Sequence, residues 1–312
     1  MGKVRRSRID RPSTRMARVT ERDLELLRAL GRMRLATTSQ IKRLFFAEEN
    51  EGSWPRAGAA SATGAANSSA RHPRPKGYTA TTKRLAKLNS LGLLRVHVLD
   101  LNTENLYGLT EKGRTLLVAE GMSADELHVQ RSILREDAHL VAVNDVRVAL
   151  VLALRSRPDV RVEFFFADHD LKRQVLQEHR KLPRYLPDAL IQIVPAGAES
   201  LSLVLELDLG SEHRKQFAPK VVTTVEHARA GRPLWGLPRF RPLLLAEGEA
   251  RLRYLAEVIV KGGGGELWLL ADLENFLRSP FGMVVTSAAA VAATPATQPP
   301  VWPWALVPPK GG

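Results

Sequence analysis

The sequence predicts a two-domain chain: a small α+β block of three helices and a two-stranded wing, then an α/β domain built on a central mixed sheet. Three observations predict it. The 312 residues suit two domains better than one. The charge is split, with 23 Lys+Arg against 11 Asp+Glu in residues 1–122 but 23 against 22 in residues 123–312. The apolar spacing also changes along the chain, from helical in the first part to strict alternation in the second. At 44% hydrophobic and 25% charged, the composition allows real cores.

Residues 1–18 carry seven Lys and Arg against Asp10 alone and read as a flexible basic arm. Thr20 with Asp23 marks a helix start, Leu24, Leu27 and Leu30 follow at helical spacing, and Gly31 is the expected stop. A second helix is expected over residues 38–46 with Ile41, Leu44 and Phe45 inward. Residues 50–75, rich in Ala, Gly and Ser, read as a disordered insertion. The third helix, residues 79–91, has Leu85, Leu88 and Leu91 inward and Thr81, Thr82, Lys83, Arg84 and Lys87 over most of the rest. Two short strands, 93–99 and 105–109, meet at a polar turn, and Thr110 caps a further helix. Three helices and a wing make a winged helix-turn-helix over residues 19–122, whose third helix is expected to enter the major groove of double-stranded DNA. Thr81, Thr82, Lys83, Arg84, Lys87 and Arg95 are the expected contacts, and the local charge agrees. The same block used for protein contacts is the alternative.

The second domain is expected over residues 123–286. A long helix at 133–155 carries the polar triplet His139, Asn144 and Asp145; His139 reads as a packing or hydrogen-bonding residue. Strands follow at 160–166, 188–194 and 201–209. In the last, five leucines share one face while Ser202, Val204, Glu206 and Asp208 share the other. A helix over 219–230 and a last core strand at 243–246 complete the α/β pattern. Gly262 to Gly265 read as a flexible break, and residues 287–312 as an Ala/Pro-rich tail whose Val301-Trp302-Pro303-Trp304 is an apolar plug or a sticky end.

The chemistry candidates lie on these strands. Asp188 opens one strand and Glu206 and Asp208 leave the next together. Three converging carboxylates repel one another unless a hard cation sits among them, and Mg²⁺ is the natural guest. Such an ion activates water against a phosphodiester, with Lys215 or Lys220 close in sequence to offset phosphate charge. The same alternation also fits the solvent face of an edge strand. Asp168-His169-Asp170 suggests a metal site, but a polar loop after a strand explains it equally well.

Other classes are excluded. The chain has no cysteine, hence no disulfide, thiolate metal site or cysteine nucleophile; this fits a reducing cytoplasm, the expected location. No His-x-His pair accompanies Tyr78, Tyr107, Tyr185 and Tyr254, which argues against a usual relaxase, and no Gly-rich loop ends in Gly-Lys-Ser/Thr. No apolar run approaches the roughly 20 residues a bilayer needs, so no membrane is expected.

Thr20-Glu21-Arg22-Asp23, Lys83-Arg84-Leu85-Ala86-Lys87-Leu88, Tyr107-Gly108-Leu109-Thr110-Glu111-Lys112-Gly113, His139-Leu140-Val141-Ala142-Val143-Asn144-Asp145, Leu186-Pro187-Asp188-Ala189 and Leu205-Glu206-Leu207-Asp208-Leu209-Gly210 resemble the replication-relaxation family of plasmids and mobile elements over about residues 18–285. The resemblance implies DNA binding in replication, relaxation or mobilisation, with plasmid replication or mobilisation proteins as partners; a homodimer is left open. The second half also resembles a PD-(D/E)xK nuclease core, with Asp188 and Glu206 as its acids. Asp208 stands where that pattern has lysine, and Lys220 on the following helix is the best substitute. The resemblance leaves two competitors: a Mg²⁺-dependent endonuclease or nickase using Asp188, Glu206, Asp208 and Lys220, and a transcriptional regulator.

Overall fold

The computed structural model describes residues 19–46, 78–98, 104–132, 137–178, 183, 185–210, 214–295, 297–302 and 304–307. The expected basic arm (1–18), insertion (50–75) and first turn of the long helix (133–136) lie outside the described residues.

The first block runs α1 (Glu21–Met33), β1 (Ala36–Thr37), α2 (Thr38–Phe45), α3 (Tyr78–Ser90), β2 (Leu94–His97), β3 (Leu106–Leu109) and α4 (Glu111–Ala119). Its starts are chemically marked. The Asp23 carboxylate accepts from the Thr20 amide at 2.6 Å and from its hydroxyl at 2.8 Å. Thr37 and Gln40 close a reciprocal cap on α2, each side chain accepting from the other's amide. The strands form an antiparallel sheet in the order β1-β3-β2; the two-residue β1 is too short for any periodicity to announce it. Leu26, Leu27, Leu30, Ile41, Leu85, Leu88, Leu94 and Leu109 make the core. Helix α1 runs through Gly31 instead of stopping there. A Cβ at that position would lie 2.5 Å from Leu127 Cδ2, so the glycine makes room for the connecting segment.

The second block runs α5 (Asp137–Leu154), β4 (Val160–Ala167), α6 (Asp168–Gln177), β5 (Ala189–Pro195), β6 (Leu201–Asp208), α7 (Arg214–Arg229), β7 (Arg241–Ala246), α8 (Glu249–Lys261), β8 (Leu269–Asp272), α9 (Leu273–Arg278), β9 (Met283–Ser287), α10 (Ala288–Ala293) and β10 (Trp304–Ala305). One mixed sheet of seven strands has the order β10-β9-β8-β7-β6-β5-β4. β4, β5 and β6 form an antiparallel meander, β6, β7 and β8 are parallel, and β9 and β10 return antiparallel. Leu203, Leu205, Leu207, Leu243 and Leu245 pack on Val143, Val146 and Leu150 of α5 and Phe276 of α9. Leu244, Ala246 and Leu270 meet Val221 of α7 and Leu255 and Ile259 of α8 on the opposite face. The outermost strand β4 breaks register between Val162 and Phe164 and carries an Arg161–Glu163 ion pair at 2.8 Å.

Several expectations are corrected. β6 is no edge strand: it lies between β5 and β7, so its polar face is covered as well as its leucine face. Asp168-His169-Asp170 is the first turn of α6 instead of a loop, Asp170 accepting from the Ala167 amide at 3.0 Å. Residues 243–246 are not the last core strand. The glycine run is a tight turn: a Cβ on Gly264 would meet the Trp268 ring at 2.8 Å. The described residues after 286 are built into the fold, with Ala288, Val291 and Val307 buried and β10 hydrogen-bonded to β9. Leu127 and Val148 lie in the first block's core, so a cut after residue 122 passes through packed contacts. Among the described residues, no helix is long and apolar enough to cross a membrane.

Candidate functional site

Helix α3 presents only part of its expected surface. Thr82 and Lys83 are exposed and Lys87 is half-buried. Thr81 is fully buried and cannot reach a base edge, a correction that follows from its position one turn before Leu85. Arg84 is turned inward to the buried Asp23 carboxylate and reaches the Thr20 hydroxyl at 3.3 Å, so it fastens α3 to α1. Arg95 on β2 is exposed and donates to the Arg131 carbonyl at 3.0 Å. Of the six expected contacts, Thr82, Lys83 and Arg95 are thus exposed and Lys87 half-buried.

The carboxylates sit where β5 and β6 run side by side. Ala189 is opposite Leu205, so Asp188 stands at the level of Glu206. Its amide donates to the Leu205 carbonyl at 3.0 Å, and its Oδ2 accepts from the Leu207 amide at 2.7 Å. Its Oδ1 lies 2.9 Å from His139 Nε2 of α5. Glu206 is 1% exposed, and Lys220 Nζ reaches its Oε2 at 2.6 Å from α7. Burial and the neighbouring Asp188 push the Glu206 carboxyl well above the usual range; Lys220 and the Tyr185 hydroxyl only partly offset them. Asp208, 2% exposed, is ion-paired to Arg251 of α8.

Asp188, Glu206 and Lys220 are thus brought together, and Asp208 is held by its own cation. The ligand oxygens of Asp188, Glu206 and Asp208 do not all lie within 4.8 Å of one another. Lys215 is exposed and outside the group. His139, expected to pack or hydrogen-bond, raises its own proton affinity here: burial opposes the charge, but the Asp188 contact reverses the sign. Arg251 and Tyr185 were not legible as site residues. Arg251 lies 43 residues from Asp208 on a separate helix, and Tyr185 lacks a motif of its own.

A second polar group lies between the blocks. Asn144 of α5, fully buried, donates to the Met33 and Leu35 carbonyls at 3.0 and 2.8 Å. Gln40 donates to the Val141 carbonyl at 2.9 Å and to Asp145 at 3.0 Å, and Arg147 donates to the Arg32 and Phe165 carbonyls. Every one of these ties α5 to the first block or to β4.

No characterised protein and no solved structure matches the chain. The replication-relaxation family model matches residues 27–233, two thirds of the sequence, from within α1 across Asn144 of α5 to Asp188, Glu206 and Lys220. The chain therefore belongs to the replication-relaxation family.

Proposed function

We propose that the protein binds duplex DNA through its first block, a winged helix, and acts in the replication or relaxation of a plasmid or mobile element. The family carries the second half of this reading. The observation that carries the first is the face of α3: Thr82 and Lys83 are exposed on a helix followed by the antiparallel strand pair β2–β3. The charge excess of residues 1–122 supports it, since phosphate neutralisation drives non-specific affinity. The full chain should bind duplex DNA with a log-log salt slope of about −4 to −5 if about five phosphates are neutralised. Lys83→Gln and Lys87→Gln should each reduce that slope by about one. Fluorescence anisotropy across a salt series measures it, and salt-insensitive or absent binding by the full chain ends the reading.

A second reading, a Mg²⁺-dependent endonuclease or nickase, is favoured by one observation. Apart from α6 inserted between β4 and β5, the order α5-β4-α6-β5-β6-α7-β7 resembles that of a PD-(D/E)xK core, and Lys220 meets Glu206 from α7 where such a core carries lysine on the strand. The donor chemistry fits: Asp188 and Glu206 offer hard oxygens to an ion that keeps several waters, while Asp208 is engaged by Arg251. Mg²⁺ there would supply an activated water; Lys220 would hold positive charge toward a phosphate, and burial would keep the pair dry. Conversion of supercoiled to nicked plasmid with Mg²⁺, lost in Asp188→Asn and Lys220→Ala with DNA affinity kept, tests this reading. Promoter repression without cleavage would favour a regulator instead.

A further inference from the structure

We propose that His128, His169 and Asp170 form a zinc-class metal site that clips the two blocks together. The residues come from two places: His128 from the connecting segment after α4, and His169 and Asp170 from the first turn of α6. One ligand atom from each lies within 4.8 Å of the other two. Among the described residues this is the group of three that meets that condition.

The distances suit a small ion. Two ligands held 2.0–2.1 Å from zinc at a tetrahedral angle are about 3.3 Å apart. His128 Nε2 lies 2.9 Å from Asp170 Oδ1, and His169 Nε2 lies 3.6 Å from Asp170 Oδ2. All three donors lie within 4.8 Å of one another, so they need only draw together to hold the ion. The Arg32 carbonyl oxygen, 3.4 Å from His169 Nε2, or a water is placed to complete the shell.

Metal binding would displace the proton that His128 Nε2 shares with Asp170 Oδ1 at 2.9 Å. His169 is 5% exposed, and its other nitrogen faces Asp168 Oδ1 at 3.6 Å. Metal on Nε2 leaves the proton on Nδ1, with Asp168 Oδ1 just beyond hydrogen-bond distance. Arg173, 3.1 Å from Asp170 Oδ1, uses one lone pair of that oxygen and leaves another. Two imidazoles and one carboxylate select zinc-class ions over Mg²⁺, which prefers oxygen alone.

Access is open from one side. Asp170 lines a groove of about 900 Å³ between α1, α5, β4 and α6, together with Arg32, Arg147 and Arg173. An ion bound there would join the connecting segment, α6 and the end of α1.

Co²⁺ titration of the chelator-stripped full chain tests the site. One Co²⁺ per chain is expected, with the visible band of four-coordinate cobalt, displaced by stoichiometric Zn²⁺ and unaffected by excess Mg²⁺. His128→Gln and His169→Ala should each weaken binding at least tenfold. Asp170→Asn, which keeps an oxygen to cap α6, should do so with little change in melting of the metal-free protein. Asp188→Asn should leave the band intact, which separates this site from the carboxylates of β5 and β6. No band, or one that survives both Asp170→Asn and His128→Gln at full affinity, overturns the proposal. The outcome is independent of DNA binding and of cleavage.

Discussion

The polar groups on β6 and those on α5 are both buried, yet they are satisfied by opposite means. On β6 charge meets charge: Glu206 with Lys220 and Asp208 with Arg251. On α5 the central residue is neutral, an asparagine amide shared between two backbone carbonyls of the first block. A buried ion pair loses hydration on both sides and is a weak source of stability. A buried amide that donates to two backbone carbonyls is costly to remove. Leu203, Leu205 and Leu207 already hold β6 in the sheet. Its buried carboxylates are therefore not what holds β6 in place, whereas the α5 groups fix one block on the other.

The largest expected effect lies on β6. Arg251→Met removes the cation beside the buried Asp208 carboxylate and should cost about 3–5 kcal/mol in urea unfolding. Adding Asp208→Asn should recover most of that. A single-variant loss under about 1 kcal/mol would mean the two regions do not differ in kind. Next comes Asn144→Ala, expected to cost about 2–3 kcal/mol by removing both hydrogen bonds from a buried seam. It should also raise hydrogen exchange at the α1–β1 junction, which a defect local to α5 would not do.

Smaller and opposite in sign is Asp145→Asn. Burial pushes the Asp145 carboxyl up to about 6 from 3.8, against the opposing Gln40 hydrogen bond and Arg43 charge. The folded state thus holds a proton more tightly than the unfolded chain. The associated stability is fully present below pH about 4 and is lost as pH rises through about 6. Asparagine still accepts from Gln40, so the variant should be more stable than the parent at pH 7.5 by about 2 kcal/mol, with that part of the pH profile flattened. Melting curves between pH 4 and 8 decide it. Smallest is Lys83→Gln: exposed and outside both regions, it should move stability by less than about 0.5 kcal/mol while changing the DNA salt slope.

Much of the fold was legible where local chemistry acts alone. Thr20 with Asp23, the leucines of α3 and the unbroken alternation of β6 each place an element within a few residues of its observed bounds. What was not legible depends on distant packing. Gly31 looks like a helix stop, and only Leu127, 96 positions on, explains why the helix passes through it. Thr81 looks like its exposed neighbour Thr82, and its burial depends on what α3 rests against. The pairing of Asp188 with Glu206 followed from strand parity and register. The diversion of Asp208 to Arg251 did not, because α8 lay beyond any motif.

The bulge in β4 bears on how the protein behaves when concentrated. An outermost strand of eight residues presents a row of peptide groups to which another polypeptide can add, and Phe166 at 45% exposure would reward such a contact. The break between Val162 and Phe164 interrupts the even spacing that docking requires, and Arg161 with Glu163 places hydrated charge along the same rim. Together they keep neighbouring sheets from fusing into a continuous ribbon. Restoring regular pleating while replacing both charges with threonine would turn a blunt margin into an adhesive one, and light scattering would rise with protein concentration.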